Sequence, residues 1–149
     1  FSIVTSRFAF HHFPDPAAVL AEMRRVCRPG GAVAVADLTA SPDPGKARAL
    51  DRVLRLIDPS HVRTLTKAEL ERLFDASGLG VPQTTRYRLQ ADLDAVPTRS
   101  FPNPGDEVEV RRLFAASVAD DGLGLDTRRA GDALRFAYPV VIAVASTPD

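Results

Sequence analysis

The 149-residue sequence predicts an α/β protein whose helices flank an open, mostly parallel sheet. A strand, a helix and a second strand follow one another between residues 3 and 36, which is the order of a βαβ unit. Residues 32–36 are apolar at every position, as in a strand that is covered on both faces of a parallel sheet. The chain length favours one domain over residues 1–149.

The first βαβ unit has clear boundaries in the sequence. A strand is predicted over residues 3–10, and Asp15 followed by Pro16 is typical of a helix start, with an N-cap and a proline in the first turn. The Arg-Pro-Gly-Gly run at 28–31 ends this helix before the strand at 32–36. The helix carries an apolar stripe at helical spacing, formed by Val19, Leu20, Met23, Val26 and Cys27.

Two more helices are predicted in the middle of the chain. The first spans about residues 45–57, with Leu50, Val53, Leu54 and Ile57 facing inward. Before the second, Thr66 and Glu69 have the spacing of a capping box, and Gly78 is expected to end it.

The last third of the chain alternates strands and one helix. We predict a strand over residues 84–89, a loop over 91–103 and a very apolar final strand over 135–145. Between the loop and the final strand, a helix is expected to start at Asn103 and to end near residue 119. Leu113, Phe114 and Val118 should form its buried stripe.

Composition excludes several classes of partner. The net charge is zero and the sequence pI is about 7.0, so no overall field favours nucleic acid or an anionic membrane. The longest apolar run, at 140–145, is too short to span a bilayer. A single cysteine, Cys27, excludes an internal disulfide and favours a cytoplasmic location, where we expect it to pack in the core.

Several motifs together resemble class I S-adenosylmethionine-dependent methyltransferases, in the branch that methylates small molecules such as ubiquinone and menaquinone precursors. They are Val4-Thr-Ser-Arg-Phe-Ala-Phe-His-His-Phe-Pro-Asp-Pro-Ala, Leu20-Ala-Glu-Met-Arg-Arg-Val, Arg28-Pro-Gly-Gly and Val33-Ala-Val-Ala-Asp-Leu. The resemblance is close over about residues 1–80. It implies a Rossmann-like sheet with an antiparallel final strand, S-adenosylmethionine as cofactor and a small-molecule acceptor.

The same resemblance implies that the chain corresponds to the C-terminal portion of a methyltransferase domain. In that family a glycine-rich loop and an acidic residue hold the cofactor, and both come before the segment that residues 1–12 resemble. The two Gly-x-Gly triplets, at 78–80 and 122–124, do not lie between a strand and a helix, so we interpret them as turns. We therefore expect a truncated domain whose cofactor site is incomplete, and which binds S-adenosylmethionine weakly on its own.

Candidate site residues cluster where the first strand ends, since open parallel sheets bind ligands beyond the carboxyl ends of their strands. The resemblance implies that Ser6, Arg7 and Phe8 contact the cofactor. His11 and His12 are the candidate catalytic residues, because an imidazole with an ordinary pKa of about 6.5 can take a proton from an acceptor hydroxyl. The alternative is that one imidazole only caps or packs against the helix that follows.

Three further residues are candidates for acceptor binding. Asp37 ends the second strand at the same edge of the sheet, where it could orient an acceptor or cap the next turn. His61 and Arg63 could close over the acceptor, although a surface salt bridge would explain Arg63 equally well. No zinc-type spacing links His11, His12 and His61, so no metal site is predicted.

Two functions from different classes are compatible with these residues. The first is methyl transfer to a small molecule by the intact protein. The second is a truncated, non-catalytic module that acts by self-association or partner binding. The strand near residues 1–12 is expected to lie at an exposed edge and to pair with a second copy, and a charge at Ile3 or Val4 should then dissolve the dimer. A signalling receiver with Asp37 as phosphoacceptor is disfavoured, because no acidic pair lies on an earlier strand.

Overall fold

Five strands form one mixed sheet in the structure, a computed structural model that describes residues 1–96, 100 and 102–148. The order is β1-β2-β5-β3, and β4 pairs with β5. β1 and β2 are parallel, whereas β2 and β5 are antiparallel, which confirms the predicted direction of the final strand. The strands are β1 (Ile3–Arg7), β2 (Ala32–Leu38), β3 (Gln83–Asp92), β4 (Arg128–Ala130) and β5 (Ala133–Ser146).

Four α-helices accompany the sheet in the described residues: α1 (Pro16–Val26), α2 (Pro44–Ile57), α3 (Lys67–Phe74) and α4 (Asp106–Asp120). The predicted caps are confirmed, because the Asp15 carboxylate accepts the Ala18 N–H at 2.9 Å and Thr66 and Glu69 form a complete capping box. None of the helices in the described ranges combines the length and the apolar character needed to cross a membrane.

The chain divides into two compact units. The first comprises Phe1–Thr39, Leu65–Tyr87 and Val140–Asp149, and the second comprises Ala40–Thr64 and Arg88–Pro139. The prediction of one domain over residues 1–149 stays a prediction.

The core of the first unit lies between one face of the sheet and helices α1 and α3. Side chains of the α1 stripe, including the predicted core cysteine Cys27, pack with Val33 and Val35 of β2. The residues that alternate with these two are half-buried, so one face of β2 is covered more completely than the other. The buried cluster comprises Phe10, Leu20, Met23, Cys27, Val33, Val35, Leu70, Phe74, Leu79, Val141, Ala143 and Ala145.

β1 ends at Arg7, three residues earlier than predicted. Phe8 has a left-handed backbone (φ 51°), which ends the strand, and a short 3-10 turn follows over Phe10–His12. Apolar content alone therefore overestimated the strand, because residues 8–10 are apolar but lie in the kink and at the start of the turn, where Phe10 is buried.

In the second unit, α2 packs against α4, and the Phe114 and Phe136 rings lie 4.7 Å apart. α4 begins at Asp106, after Gly105 rather than after Asn103. Its buried stripe is Val110, Phe114 and Ser117, spaced by four and three residues, while Leu113 and Val118 are half-buried.

A β4–β5 hairpin in this unit was not predicted. Its two-residue turn is Gly131-Asp132, with Gly131 at φ 62°, a conformation that glycine adopts without a Cβ penalty. Residues 97–99 and 101 of the predicted loop lie outside the described residues.

Candidate active site

The carboxyl ends of β1 and β2 meet at one edge of the sheet, because the two strands are parallel. Their register pairs Arg7 with Ala36, and the Phe8 N–H donates to the Ala36 carbonyl at 2.8 Å. Asp37 is the next residue of β2, so its side chain lies beside the 3-10 turn that follows Phe8.

The Asp37 carboxylate holds this turn in place. One oxygen, Oδ2, accepts the backbone N–H groups of Phe10 at 2.6 Å and His11 at 3.3 Å. The other, Oδ1, accepts the Leu38 N–H at 2.6 Å and lies 2.5 Å from Nδ1 of His11. A carboxylate offers about four lone-pair directions. Asp37 is 4% exposed, and these four donors together occupy its lone-pair directions.

The contact with Asp37 fixes the proton on the His11 ring. An ionised carboxylate only accepts hydrogen bonds, so Nδ1 of His11 carries the hydrogen. In the neutral ring Nε2 is then the basic nitrogen. The His11 side chain is 12% exposed, and the His12 ring lies 4.2 Å away, tilted by 44°. The structure thus pairs His11 with an acid that orients it.

Apolar side chains surround this pair. A cavity beside His11 and Asp37 is lined by Phe10, Leu38, Leu65, Leu70 and Val141. Its volume is about 10 Å³, too small for more than a single water. It is therefore a packing gap rather than an acceptor pocket, and its low polarity strengthens the hydrogen bonds to Asp37.

The three predicted cofactor residues lie at the same edge of the sheet. Ser6 is half-buried at the end of β1, and Arg7 is exposed with its guanidinium 4.9 Å from the centre of the Phe8 ring. The structure thus brings together six of the predicted site residues, whose roles stay predictions: Ser6, Arg7, Phe8, His11, His12 and Asp37.

His61 and Arg63 belong to the second unit. The His61 side chain is 2% exposed, and its Nε2 lies 2.9 Å from Oδ1 of Asp51 on α2. The Thr64 N–H donates to the same oxygen at 2.8 Å, and Arg63 is exposed. Asp51 was not singled out in the sequence, because a ten-residue separation from His61 carries no periodic signal. A role of His61 and Arg63 toward an acceptor stays a prediction.

The hydrogen bonds to Asp51 predict an acid-sensitive stability. Burial by itself would raise the pKa of Asp51, but the hydrogen bonds from His61 and Thr64 outweigh burial and hold this pKa below the ordinary value of 3.8. A depressed pKa gives stability that is present above about pH 4 and is lost as the pH falls through the folded-state pKa. We expect Asp51→Asn to lower the free energy of unfolding at pH 7 by about 1.5–3 kcal/mol and to flatten its decline below pH 4.

Urea unfolding curves between about pH 2 and pH 7 check this expectation. Asp132→Asn, in the exposed β4–β5 turn, is the control and should change the curve little. An acid decline as steep in Asp51→Asn as in the unmodified chain would contradict the assignment.

Comparisons with known proteins agree with this architecture. The sequence pattern of the family described as "Methyltransferase domain" matches residues 1–84. The chain is 33% identical over 145 residues to YcgJ of Bacillus subtilis, an uncharacterized methyltransferase, covering 95% of this chain and 57% of the relative. It is 30% identical over 121 residues to the uncharacterized protein YafE of Escherichia coli, covering 81% of this chain and 58% of the relative. The chain thus spans less than two thirds of the length of these curated relatives.

Solved structures show the same fold. The crystal structure of the protein BH2331 of Bacillus halodurans C-125 superposes with a TM-score of 0.89 at 21% identity, covering 100% of this chain and 70% of that one. The structure of YcgJ superposes with a TM-score of 0.86 at 22% identity, covering 100% and 64%. These likenesses confirm the Rossmann-like α/β fold.

The matched residues 1–84 contain β1, α1, β2 and the pair formed by His11 and Asp37, and they make up more than half of the chain. The family predicted from the motifs is thereby confirmed: the chain belongs to the methyltransferase-domain family.

Proposed function

We propose that the intact protein transfers a methyl group from S-adenosylmethionine to a small-molecule acceptor, with His11 as general base. The observation that carries the proposal is an imidazole held by a buried carboxylate at the carboxyl edge of the sheet, in a chain of the methyltransferase family. An arsenic(III) S-adenosylmethionine methyltransferase of Chlamydomonas reinhardtii shares the fold with a TM-score of 0.53 at 17% identity, which supports the choice of cofactor.

The residues near the end of β1 fit the methionine end of that cofactor. Ser6 offers a hydroxyl, Arg7 a guanidinium suited to a carboxylate, and Phe8 an aromatic face suited to a cation. When bound, S-adenosylmethionine supplies a methyl group that is already activated by a positively charged sulfur. The protein therefore has to orient the acceptor and remove its proton.

His11 is suited to that proton transfer. Its Nδ1–H is donated to Asp37, so Nε2 can accept a proton from an acceptor hydroxyl or amine, and the charged ring that results is stabilised by the Asp37 carboxylate. Asp37 itself already accepts four hydrogen bonds. We therefore assign Asp37 as a positioning residue rather than as an acceptor ligand.

Formation of S-adenosylhomocysteine tests the proposal. The intact protein is incubated with S-adenosylmethionine and a panel of acceptors containing phenols, enols, amines and carboxylates. We expect turnover with at least one small acceptor that carries an ionisable proton. Absence of cofactor binding in calorimetry, together with no turnover across the panel, would overturn it.

A second candidate function is self-association through β1, which a specific observation favours. The Ala32 N–H donates to the Ser2 carbonyl at 2.9 Å, and the Phe8 N–H donates to the Ala36 carbonyl at 2.8 Å. In a parallel ladder, alternate residues of a strand direct both their N–H and their C=O groups to the same neighbouring strand. The two bonds therefore indicate that the even-numbered residues of β1 are bonded to β2. The odd-numbered residues direct their backbone groups to the other side, where no strand of the described residues lies.

Three exposed residues, Ile3, Thr5 and Arg7, carry those outward backbone groups. Ile3 is 64% exposed and the neighbouring Phe1 is 81% exposed. An unpaired edge next to apolar side chains is a template for another strand. We infer that two copies pair antiparallel about a two-fold axis at Thr5, which aligns Ile3 of each copy with Arg7 of the other.

Thr5→Pro is expected to abolish this association. Proline removes only the outward N–H of Thr5, so the ladder between β1 and β2 should persist while the edge can no longer pair. Ile3→Lys should act likewise, because each lysine would face Arg7 of the other copy, whereas a charge at Val4 would disturb the core against which Val4 packs. Sedimentation at micromolar concentration checks the mass, with Val81→Lys, 74% exposed elsewhere in the first unit, as control. A monomer of 16.1 kDa in the unmodified chain would refute the inference.

A further inference from the structure

Phe8 has a backbone conformation that its residue type disfavours. Its φ of 51° lies in the left-handed region, as do the φ values of two aspartates, Asp121 and Asp126. Aspartate tolerates this region because its short side chain bonds locally, whereas a bulky residue there is an outlier. Such outliers persist only where the surrounding structure over-determines them, and they concentrate at functional sites.

Consecutive residues of β2 hold the chain on both sides of this kink. Before it, Ala36 accepts the Phe8 N–H at 2.8 Å. After it, the Asp37 carboxylate accepts the N–H groups of Phe10 and His11. The 3-10 turn over Phe10–His12 lets two successive N–H groups point to one carboxylate oxygen, which an extended chain would not allow. The left-handed Phe8 lies between β1 and this turn, where the chain changes direction out of the strand.

The Phe8 side chain explains why glycine does not occupy this position. The Arg7 guanidinium lies 4.9 Å from the centre of the Phe8 ring, within the range of a cation–π contact. The ring is half-buried, so part of it packs while part remains accessible. This contact offsets backbone strain that a smaller L-residue could not offset.

We propose that Phe8 is a positioning residue, whose left-handed backbone directs the 3-10 turn so that the His11 ring meets Asp37. This rests on the proposed function in so far as His11 is the general base. The kink itself is a property of the chain and can be tested without catalysis. The role differs from a cofactor contact, because it acts through the backbone of residue 8.

The matched variants Phe8→Gly and Phe8→Ala distinguish the effect of the backbone conformation from the effect of losing the aromatic ring. Both variants lose the ring, but only alanine opposes a positive φ. Amide hydrogen exchange of Phe10 and His11 in the 149-residue chain measures how firmly the turn is held, and the His11 Nδ1 proton signal in NMR reports the contact with Asp37. We expect exchange in Phe8→Ala to be about 5- to 30-fold faster than in Phe8→Gly. Phe8→Tyr, which retains the ring, should match the unmodified chain.

Exchange of the Val35 amide, in the core strand β2, shows whether a variant has lost only the turn or the whole fold. If Phe8→Ala does not fold, Phe8→Asn replaces it, since asparagine tolerates the left-handed region and should protect the turn as Phe8→Gly does. Equal protection in glycine and alanine variants, or loss of protection in the asparagine variant, would overturn the proposal. The amide protection of the Phe8 variants could follow the expected order while His11→Ala retains full turnover. That combination would support the positioning role of Phe8 and refute the proposed function of His11.

Discussion

His11→Ala is expected to lower the turnover of methyl transfer by about 10²- to 10⁴-fold, the usual contribution of a general base. The variant removes a ring whose proton is fixed by a buried carboxylate at the carboxyl edge of the sheet. Cofactor affinity should change little, because Ser6, Arg7 and Phe8 remain. Turnover under saturating acceptor, together with calorimetric titration of S-adenosylmethionine, separates the two effects.

His12→Ala is the matched control for this experiment. The His12 ring lies 4.2 Å from that of His11, so both variants delete an imidazole at the same place in the fold. We expect the control to retain turnover within about tenfold, and added imidazole to restore part of the turnover of His11→Ala. Unchanged turnover in His11→Ala would contradict the assignment of the base. A larger loss in His12→Ala would transfer that role to His12.

Asp37→Asn is expected to lower the free energy of unfolding by about 2–6 kcal/mol. An asparagine side chain has the same shape, but an NH2 group replaces one of the two carboxylate oxygens. This NH2 group is a donor, so it cannot accept a hydrogen bond from the N–H groups that it would face. At least two of the four donors now bound to Asp37 would lose their acceptor. Each buried donor without a partner costs about 1–3 kcal/mol. Turnover should also fall, because the His11 ring would lose the carboxylate that fixes its Nδ1 proton.

Asp15→Asn provides the control for that substitution. Asp15 accepts one backbone N–H, from Ala18, and asparagine serves equally well at a helix N-cap. Its effect should stay within about 0.5 kcal/mol. Urea unfolding of both variants measures the difference. An Asp37→Asn protein as stable as the Asp15→Asn protein would show that the network around Asp37 contributes little.

Much of the secondary structure was predictable from local patterns. Asp15 with Pro16 located the start of α1, and Thr66 with Glu69 located the start of α3, because capping joins residues only three apart. The α2 stripe of Leu50, Val53, Leu54 and Ile57 was predictable for the same reason, since a helix brings residues three and four apart to one face. The motifs also predicted the family, because all of them lie within the matched residues 1–84.

The errors in the fold arose where tertiary contacts outweighed local pattern. Apolar residues 8–10 predicted a longer β1, but the bonds to Ala36 and Asp37 favour a kink and a turn there. The hairpin before β5 had only a Gly-Asp turn as its local signal, and β4 has three residues. A strand so short depends on its partner for hydrogen bonds, so it leaves little trace in the sequence.

The sequence by itself determined the helices, the family and the edge of the sheet where the candidate residues gather. Only the tertiary structure decided that Asp37 orients His11, that His61 bonds to Asp51, and that Ile3 rather than Val4 faces outward. The physical reason is the distance along the chain. Asp37 and His11 are separated by 26 residues, and the parallel pairing of β1 with β2 brings them together. Register between strands depends on the packing of the whole sheet, which no short stretch of sequence specifies.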